Sequence, residues 1–147
     1  MVRLLALLAL PLGLLIGLVA SAEQMVRFDG YELHYNVSNS SLLAAQTAAR
    51  LDIRQAPNRA LVNVTLLKVM ADGQTQPVTG QVSGQIRNLM GQAQSLQFRQ
   101  IIESNQPSYL AEMQFDNEEL FHFELEVMPT GGSRSYPLRF DQQLFVD

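Results

Sequence analysis

Polar and apolar side chains alternate with a period of two along most of the chain, and this pattern restricts the fold to one built from half-buried strands. In the stretch FHFELEV, residues 121–127, the apolar side chains fall on one side and His122, Glu124 and Glu126 on the other. Turn sequences such as Asp72-Gly73 separate these stretches. The pattern predicts strands near residues 24–29, 30–37, 60–69, 77–88, 94–102, 108–115, 119–128 and 135–146.

Strands of this length and spacing predict an all-β fold, namely an antiparallel immunoglobulin-like β-sandwich of seven to eight strands. A small closed β-barrel is the alternative. In the strand near 94–102 we expect Leu96, Phe98 and Ile102 to point inward.

The segment SLLAAQTAARLDI, residues 41–53, does not alternate and predicts one short helix. Ser40 or Ser41 is suited to cap its start, and the sequence Gln55-Ala56-Pro57-Asn58 is suited to end it. We expect this helix to close one end of the sandwich.

Residues 1–22 have the pattern of a secretory signal peptide, with Arg3, an apolar run at 4–20 and the small residues Ala20-Ser21-Ala22. A retained membrane anchor is the alternative, but the apolar run is at the short limit for crossing a bilayer. We therefore predict a cleaved signal peptide at 1–22, a single domain at 23–147, a periplasmic location and no membrane span after cleavage.

The composition of the predicted mature chain excludes several classes of function. Nine basic side chains stand against fourteen acidic ones, and an acidic chain lacks the basic patches that nucleic acids need, so we expect no nucleic-acid partner. The absence of cysteine excludes disulfides, thiol catalysis and cysteine-ligated metals. Because tryptophan is also absent, stacking on a sugar would depend on tyrosine and phenylalanine.

His34 and His122 both fall on the polar side of predicted strands. If these strands were neighbours, the two imidazoles and Glu124 could hold zinc or copper, or serve a hydrolytic reaction. The interpretation that we favour is that they are solvated residues of a wet sheet face. The sequence therefore predicts no catalytic residue, no cofactor and no metal site.

Arg54 and Arg59 flank Pro57 in the loop before a predicted strand. Two guanidinium groups on one loop could bind a carboxylate or a phosphate. The interpretation that we favour is structural, with Arg59 closing the loop by hydrogen bonds to carbonyls at the strand end.

Six stretches along the chain together resemble a family of small exported proteobacterial proteins, the domain of unknown function 4426. They are GYELHYNV, NRALVNVTLL, RNLMGQAQSLQF, SYLAEMQF, LFHFELEVMP and LRFDQQLFVD. The resemblance covers the predicted mature chain and implies an exported β-sandwich of unassigned activity, with no catalytic residues to transfer. The chain departs from the family pattern at the predicted helix, where Ala45-Gln46 replaces Pro-Glu and Leu51-Asp52 replaces Tyr-Gly.

Taken together, these features predict a non-enzymatic accessory or binding module. Its partner would be another periplasmic or envelope protein, bound through loops or by pairing an extended segment with an exposed strand edge. A metal-binding or hydrolytic protein that uses His34, His122 and Glu124 is one alternative. The other alternative is a carrier of a small apolar ligand between the sheets, in a channel lined by Phe98, Phe121 and Phe123.

Overall fold

The computed structural model describes residues 24–147, so the predicted signal peptide at 1–22 lies outside the described residues. The strands are β1 (Gln24–Phe28), β2 (Tyr31–Asn39), β3 (Arg59–Val69), β4 (Thr75–Pro77), β5 (Gly80–Asn88), β6 (Ala93–Leu96), β7 (Arg99–Glu103), β8 (Gln106–Gln114), β9 (Glu119–Pro129) and β10 (Tyr136–Leu144). The described residues therefore form ten strands, more than the predicted seven to eight. Within this part of the chain, no helix is long and apolar enough to cross a membrane.

The strands form two antiparallel sheets that pack face to face, which confirms the predicted β-sandwich. Sheet A has the order β1-β2-β3-β8-β7, with β4 paired to the far end of β3. Sheet B has the order β10-β9-β5-β6. Because the strands divide into two sheets with separate edges, the alternative of a small closed barrel is wrong.

The core lies between the sheets and contains the side chains that the alternation predicts to face inward. From sheet A it includes Leu33, Val37, Val62, Val64, Leu66 and Met113, and from sheet B it includes Ile86, Phe121, Phe123, Leu125, Val127 and Leu138. Full burial of one such side chain is worth roughly 1.5–3 kcal/mol, so this core stabilises a chain that has no cysteine to cross-link it.

The predicted strand near 94–102 is in fact two strands that belong to different sheets. β6 ends at Leu96 in sheet B and β7 begins at Arg99 in sheet A. Leu96 is buried as expected and Phe98 is half-buried, but Ile102 is 64% exposed and Ile101 is buried instead. Ile101 is buried because it lies on the outer face of sheet A, beside Leu110 in a separate apolar cluster, whereas Ile102 lies on the other face of the edge strand β7 and the main core does not cover it.

The segment predicted to be helical contains a 3₁₀ turn at Ser40–Leu42 and a short helix, α1, at Ala45–Arg50. The predicted serine cap is wrong, because Ala44 occupies the N-cap position of α1 and makes no side-chain cap hydrogen bond. Ser40 is instead buried, and its hydroxyl bonds both the carbonyl and the amide of Ala56 at 3.1 Å.

α1 lies on the outer face of sheet A and does not close an end of the sandwich as predicted. Ala48 of α1 and Ile53, which follows the helix, pack against sheet residues that point away from the main core. These sheet residues are Leu61 of β3, Ile101 of β7 and Leu110 of β8. The sandwich therefore has a second, smaller apolar cluster under α1, because three outward-facing positions of sheet A carry aliphatic side chains.

Candidate ligand groove

A cavity of about 380 Å³ lies between α1 and the outer face of sheet A, and we call it the α1 groove. Its wall is aliphatic and consists of Leu43, Leu51, Ile53, Leu61, Ile101 and Leu110. Its polar residues are Asn36, Ser38, Thr47, Asn63, Thr65, Glu103, Gln106 and Ser108. One side of the groove is thus apolar, whereas the other carries mainly amide and hydroxyl groups.

The polar floor of the groove comes from neighbouring strands of sheet A. Asn36 of β2 lies directly opposite Asn63 of β3, and in the next outward-facing pair His34 lies opposite Thr65. Within residues 24–147, the side chains of Asn36, Asn63 and Thr65 have no hydrogen-bond partner. Two carboxamides and a hydroxyl are therefore available to a molecule in the groove.

Ser108 of β8 is the most deeply placed polar residue of the floor. It is only 9% exposed, and its hydroxyl makes no hydrogen bond to any residue in the described part of the chain. The hydroxyl is not one of the fully buried side-chain atoms that lack a partner in residues 24–147, so it stays accessible from the groove. A molecule in the groove could therefore form a hydrogen bond with it.

Charge is almost absent from the groove. Among residues 24–147, Glu103 is the one charged residue that lines it, and its carboxylate accepts a hydrogen bond of 2.6 Å from Arg50 of α1. This bond raises the pKa of the Arg50 guanidinium. The groove therefore offers a ligand hydrogen-bonding groups and apolar surface, but no unpaired charge.

The carboxylate of Glu32, with an imidazole and a guanidinium as partners, lies beside the groove along β2. Glu32 is 7% exposed, and its carboxylate lies 3.0 Å from His34 Nε2 and 2.9 Å from the Arg27 guanidinium. The hydrogen bond from His34, more than that from Arg27, holds the pKa of Glu32 below its usual value against the opposing effect of burial. His34, together with Asn36, Asn63 and Thr65, also lines a smaller hollow of about 220 Å³ beside the groove.

The structure separates the residues proposed for a metal or hydrolytic site. His34 lies on the outer face of sheet A, whereas His122 and Glu124 lie on the outer face of sheet B. His122 Nδ1 contacts Asp141 at 2.6 Å, and Glu124 accepts a hydrogen bond from Gln85 at 3.2 Å. The two imidazoles therefore cannot share a ligand, and the hypothesis of a site formed by His34, His122 and Glu124 is wrong.

Arg54 and Arg59 converge on an acidic side chain. The Arg59 guanidinium lies 3.5 Å from Glu112, and the same carboxylate oxygen accepts the backbone N–H of Arg54 at 3.2 Å. Arg59 thus contacts a carboxylate and not the strand-end carbonyls that we expected. Because Asp52 and Glu112 line the same hollow as the two arginines, that hollow has as many acidic as basic groups and is poorly suited to bind an anion.

The phenylalanines proposed to line an apolar channel pack against one another or against the core. Phe123 stacks on Phe140 with 4.6 Å between ring centroids, and Phe121 meets Phe123 edge-on. Phe98 is partly buried against the same cluster. These contacts fill the space between the sheets in which the carrier hypothesis placed its ligand.

Sequence reasoning missed the residues of the groove floor. Asparagine, serine and threonine side chains carry no catalytic or metal-ligand spacing, so no catalytic or metal-binding motif indicated them. One signal was present, because asparagine is depleted in strands and yet Asn36 and Asn63 both fall in the middle of strands. Their convergence depends on the pairing of β2 with β3, which the structure shows.

Comparison with known proteins identifies relatives of the same fold. The family model described as Domain of unknown function (DUF4426) matches residues 25–147. A solved structure of a DUF4426 family protein from Pseudomonas aeruginosa is 27% identical, with a TM-score of 0.75 over 85% of this chain and 96% of that chain. A search of the curated proteins found no match.

More distant structures share the fold alone. FetP from uropathogenic Escherichia coli, expressed in the periplasm, is 12% identical with a TM-score of 0.65, and the match covers 85% of this chain and 95% of that chain. A copper-bound variant of FetP is likewise 12% identical, with a TM-score of 0.62 over 85% of this chain and 96% of the other.

Proposed function

The chain belongs to the DUF4426 family, and from that premise we propose that it is an exported, non-enzymatic binding module of the periplasm whose ligand site is the α1 groove. The observation that carries this proposal is a cavity of about 380 Å³ in which an aliphatic wall faces Asn63, Thr65 and Ser108, whose side chains make no hydrogen bond within the described residues. Ligand sites typically have volumes of about 300–1,000 Å³ and combine apolar walls with a few convergent polar groups, as the α1 groove does.

Export to the periplasm is supported by the leader pattern of residues 1–22. The solved structure of FetP, which has the same fold, is of a protein recombinantly expressed in the periplasm. A cysteine-free chain forms no disulfides in the oxidising periplasm, and the extensive apolar core can hold the sandwich together without them.

A binding role is favoured over catalysis because the groove lacks an activated nucleophile. Activation would require a hydroxyl hydrogen-bonded to a base. Among residues 24–147, no histidine lines the α1 groove, and the only acid that lines it, Glu103, is bonded to Arg50 and not to a serine or threonine.

Copper is bound in one FetP structure, but our proposal for this chain does not include copper. Within residues 24–147, no three histidine, aspartate or glutamate side chains lie close enough together to hold one metal ion. Copper titration of the purified protein should therefore give no stoichiometric binding, and a site that His34→Ala abolishes would contradict this statement.

The natural absence of cysteine allows a direct test of the groove. Thr65→Cys places one thiol on its floor, and Ser95→Cys places a matched thiol on the exposed outer face of sheet B. We expect a periplasmic extract to slow maleimide labelling of Thr65→Cys and to leave Ser95→Cys unaffected. Equal labelling rates of Thr65→Cys with and without extract would contradict the proposed function.

A further inference from the structure

We infer that the α1 groove binds a short, extended, uncharged peptide segment with aliphatic side chains. This inference rests on the proposed function and specifies the ligand class for the same site. Three properties of the groove support it, namely the chemistry and spacing of its floor, its lack of charge and the nature of its wall.

The floor matches the hydrogen-bonding groups of a peptide backbone. Each asparagine carboxamide offers two N–H donors and a carbonyl acceptor, so Asn36 and Asn63 complement the C=O and N–H of peptide groups. Asn63 and Thr65 are alternate residues of β3, and alternate residues of a strand lie about 6.5–7 Å apart. An extended peptide above β3 repeats its same-facing groups at that distance, so successive groups would meet successive floor residues.

The lack of charge excludes ligands that need a counter-ion. No lysine or arginine of residues 24–147 lines the groove, so a phosphate, a sulfate or a free carboxylate would lose its hydration without gaining a partner there. The single acid, Glu103, is already bonded to Arg50, which disfavours cationic ligands in the same way. An internal peptide segment without charged side chains meets neither obstacle.

The wall distinguishes a peptide from a sugar. Its side chains are leucine and isoleucine, and in the described part of the chain no aromatic ring on which a pyranose could stack lines the groove. Leu51 and Ile53 follow α1, while Leu61 and Leu110 belong to the sheet. Aliphatic side chains of a peptide would bury apolar surface against both sides of this wall.

An NMR titration of the mature protein tests this inference with defined probes. The first probe is an acetylated and amidated hexapeptide of alternating serine and leucine, and two further peptides carry glutamate or lysine in place of serine. The fourth probe is chitotriose, a neutral amide-bearing sugar. We expect the uncharged peptide to shift the amide signals of Asn36, Asn63, Thr65 and Ser108, and both charged peptides to bind at least about tenfold more weakly because their charges would be left unpaired.

Substitutions separate a ligand-binding role of the floor from a structural one. Ser108→Ala should weaken peptide binding by about two- to tenfold, the loss of one hydrogen bond, while the protein stays folded. Ser95→Ala on sheet B is the matched control and should bind the peptide as the unsubstituted protein does. Unchanged peptide affinity in both Ser108→Ala and Asn63→Ala would overturn the inference.

The failure of this inference can be distinguished from failure of the proposed function. Shifts of the floor signals by chitotriose but not by the peptide would overturn the peptide class and retain the groove as a ligand site. Equal binding of charged and uncharged peptides would also overturn it. If no probe binds, the peptide inference fails, and protection of Thr65→Cys by periplasmic extract decides the proposed function independently.

Discussion

The outer faces of the two sheets follow the same alternating pattern but use their polar side chains in opposite ways. On sheet B several polar groups are charged and open to solvent, and some of them are paired, as in the contacts of His122 with Asp141 and of Glu124 with Gln85. Under α1, sheet A carries neutral groups that are half-buried or buried and have no partner in the described chain, such as Asn63 and Ser108. The outer face of sheet B, which carries more titratable side chains, is therefore solvated surface. The candidate site lies on the outer face of sheet A, whose side chains under α1 are mainly neutral.

This contrast has an energetic meaning. Polar groups in water keep their hydrogen bonds to solvent, whereas a buried polar group without a partner is destabilising. The floor groups are not among the fully buried atoms without a partner in residues 24–147, so they carry no such cost. The aliphatic side chains buried under α1 make this face the more sensitive one to substitution, because their burial stabilises the fold and the face of sheet B is solvated. The predictions below test this difference, beginning with the largest expected effect.

Leu110→Ala should produce the largest difference between the two faces. Leu110 is 3% exposed under α1, so the substitution leaves a cavity and should lower the free energy of unfolding by about 2–5 kcal/mol. Met128→Ala, at an exposed apolar position on the outer face of sheet B, should cost less than about 1 kcal/mol. Urea denaturation measures both, and similar losses would mean that α1 does not cover sheet A as described.

Ser40→Ala tests how firmly the segment carrying α1 is held. Ser40 is fully buried, and its hydroxyl bonds the carbonyl and the amide of Ala56, which would both lose a partner. We expect a loss of about 1–3 kcal/mol in urea denaturation, together with faster amide exchange over residues 45–50. Amide exchange in β9 of sheet B provides the internal control, and equal acceleration in both regions would contradict a local role.

Ser108→Ala should leave the stability of the ligand-free protein nearly unchanged, unlike Leu110→Ala and Ser40→Ala. The hydroxyl makes no hydrogen bond within residues 24–147 and is not a fully buried atom, so we expect a change of less than about 0.5 kcal/mol in the free energy of unfolding. Ser95→Ala at an exposed position of sheet B should leave the thermal midpoint unchanged. A clear loss of stability in Ser108→Ala would show that its hydroxyl is bonded within the protein.

Glu32→Gln should give the smallest effect, confined to acid. Because the pKa of Glu32 in the folded protein lies below its usual value of 4.5, its ionised form stabilises the fold above that pH. This contribution is lost as the pH falls from 4.5 through the lowered pKa, so the unsubstituted protein should lose stability more steeply there than Glu32→Gln. Glu124→Gln on sheet B controls for the change in net charge, and identical acid profiles of Glu32→Gln and the unsubstituted protein would contradict the prediction.

The alternation predicted the sandwich because a strand with one buried face has an apolar side chain at every second residue. It succeeded on β3 and β9, where inward and outward positions follow the sequence pattern along the whole strand. It failed between Leu96 and Arg99, because a strand that changes sheets and a continuous strand look alike when both are short and half-apolar. It also gave α1 the wrong place, since the outward-facing Leu61, Ile101 and Leu110 signal a covered face only after their strands are known to be neighbours.

The candidate site was less predictable than the fold. The titratable residues drew attention because their chemistry is recognisable, yet His34 and His122 lie on opposite faces of the sandwich. Asn36, Asn63, Thr65 and Ser108 have no distinctive spacing, and they form a surface only through the pairing of β2, β3 and β8. Burial and the lack of a partner identified them, and both are properties of the assembled sheet.

The passage of the chain between the layers has a mechanical consequence. The chain changes sheet between β4 and β5, between β6 and β7, and between β8 and β9. Each sheet is therefore built from two separate chain segments that are connected through strands of the other sheet. One sheet cannot unfold while the other stays folded, because each sheet is covalently continuous with strands of the other at several points. The described domain should therefore unfold in one cooperative transition, and limited proteolysis should yield either intact chain or small fragments without a stable intermediate.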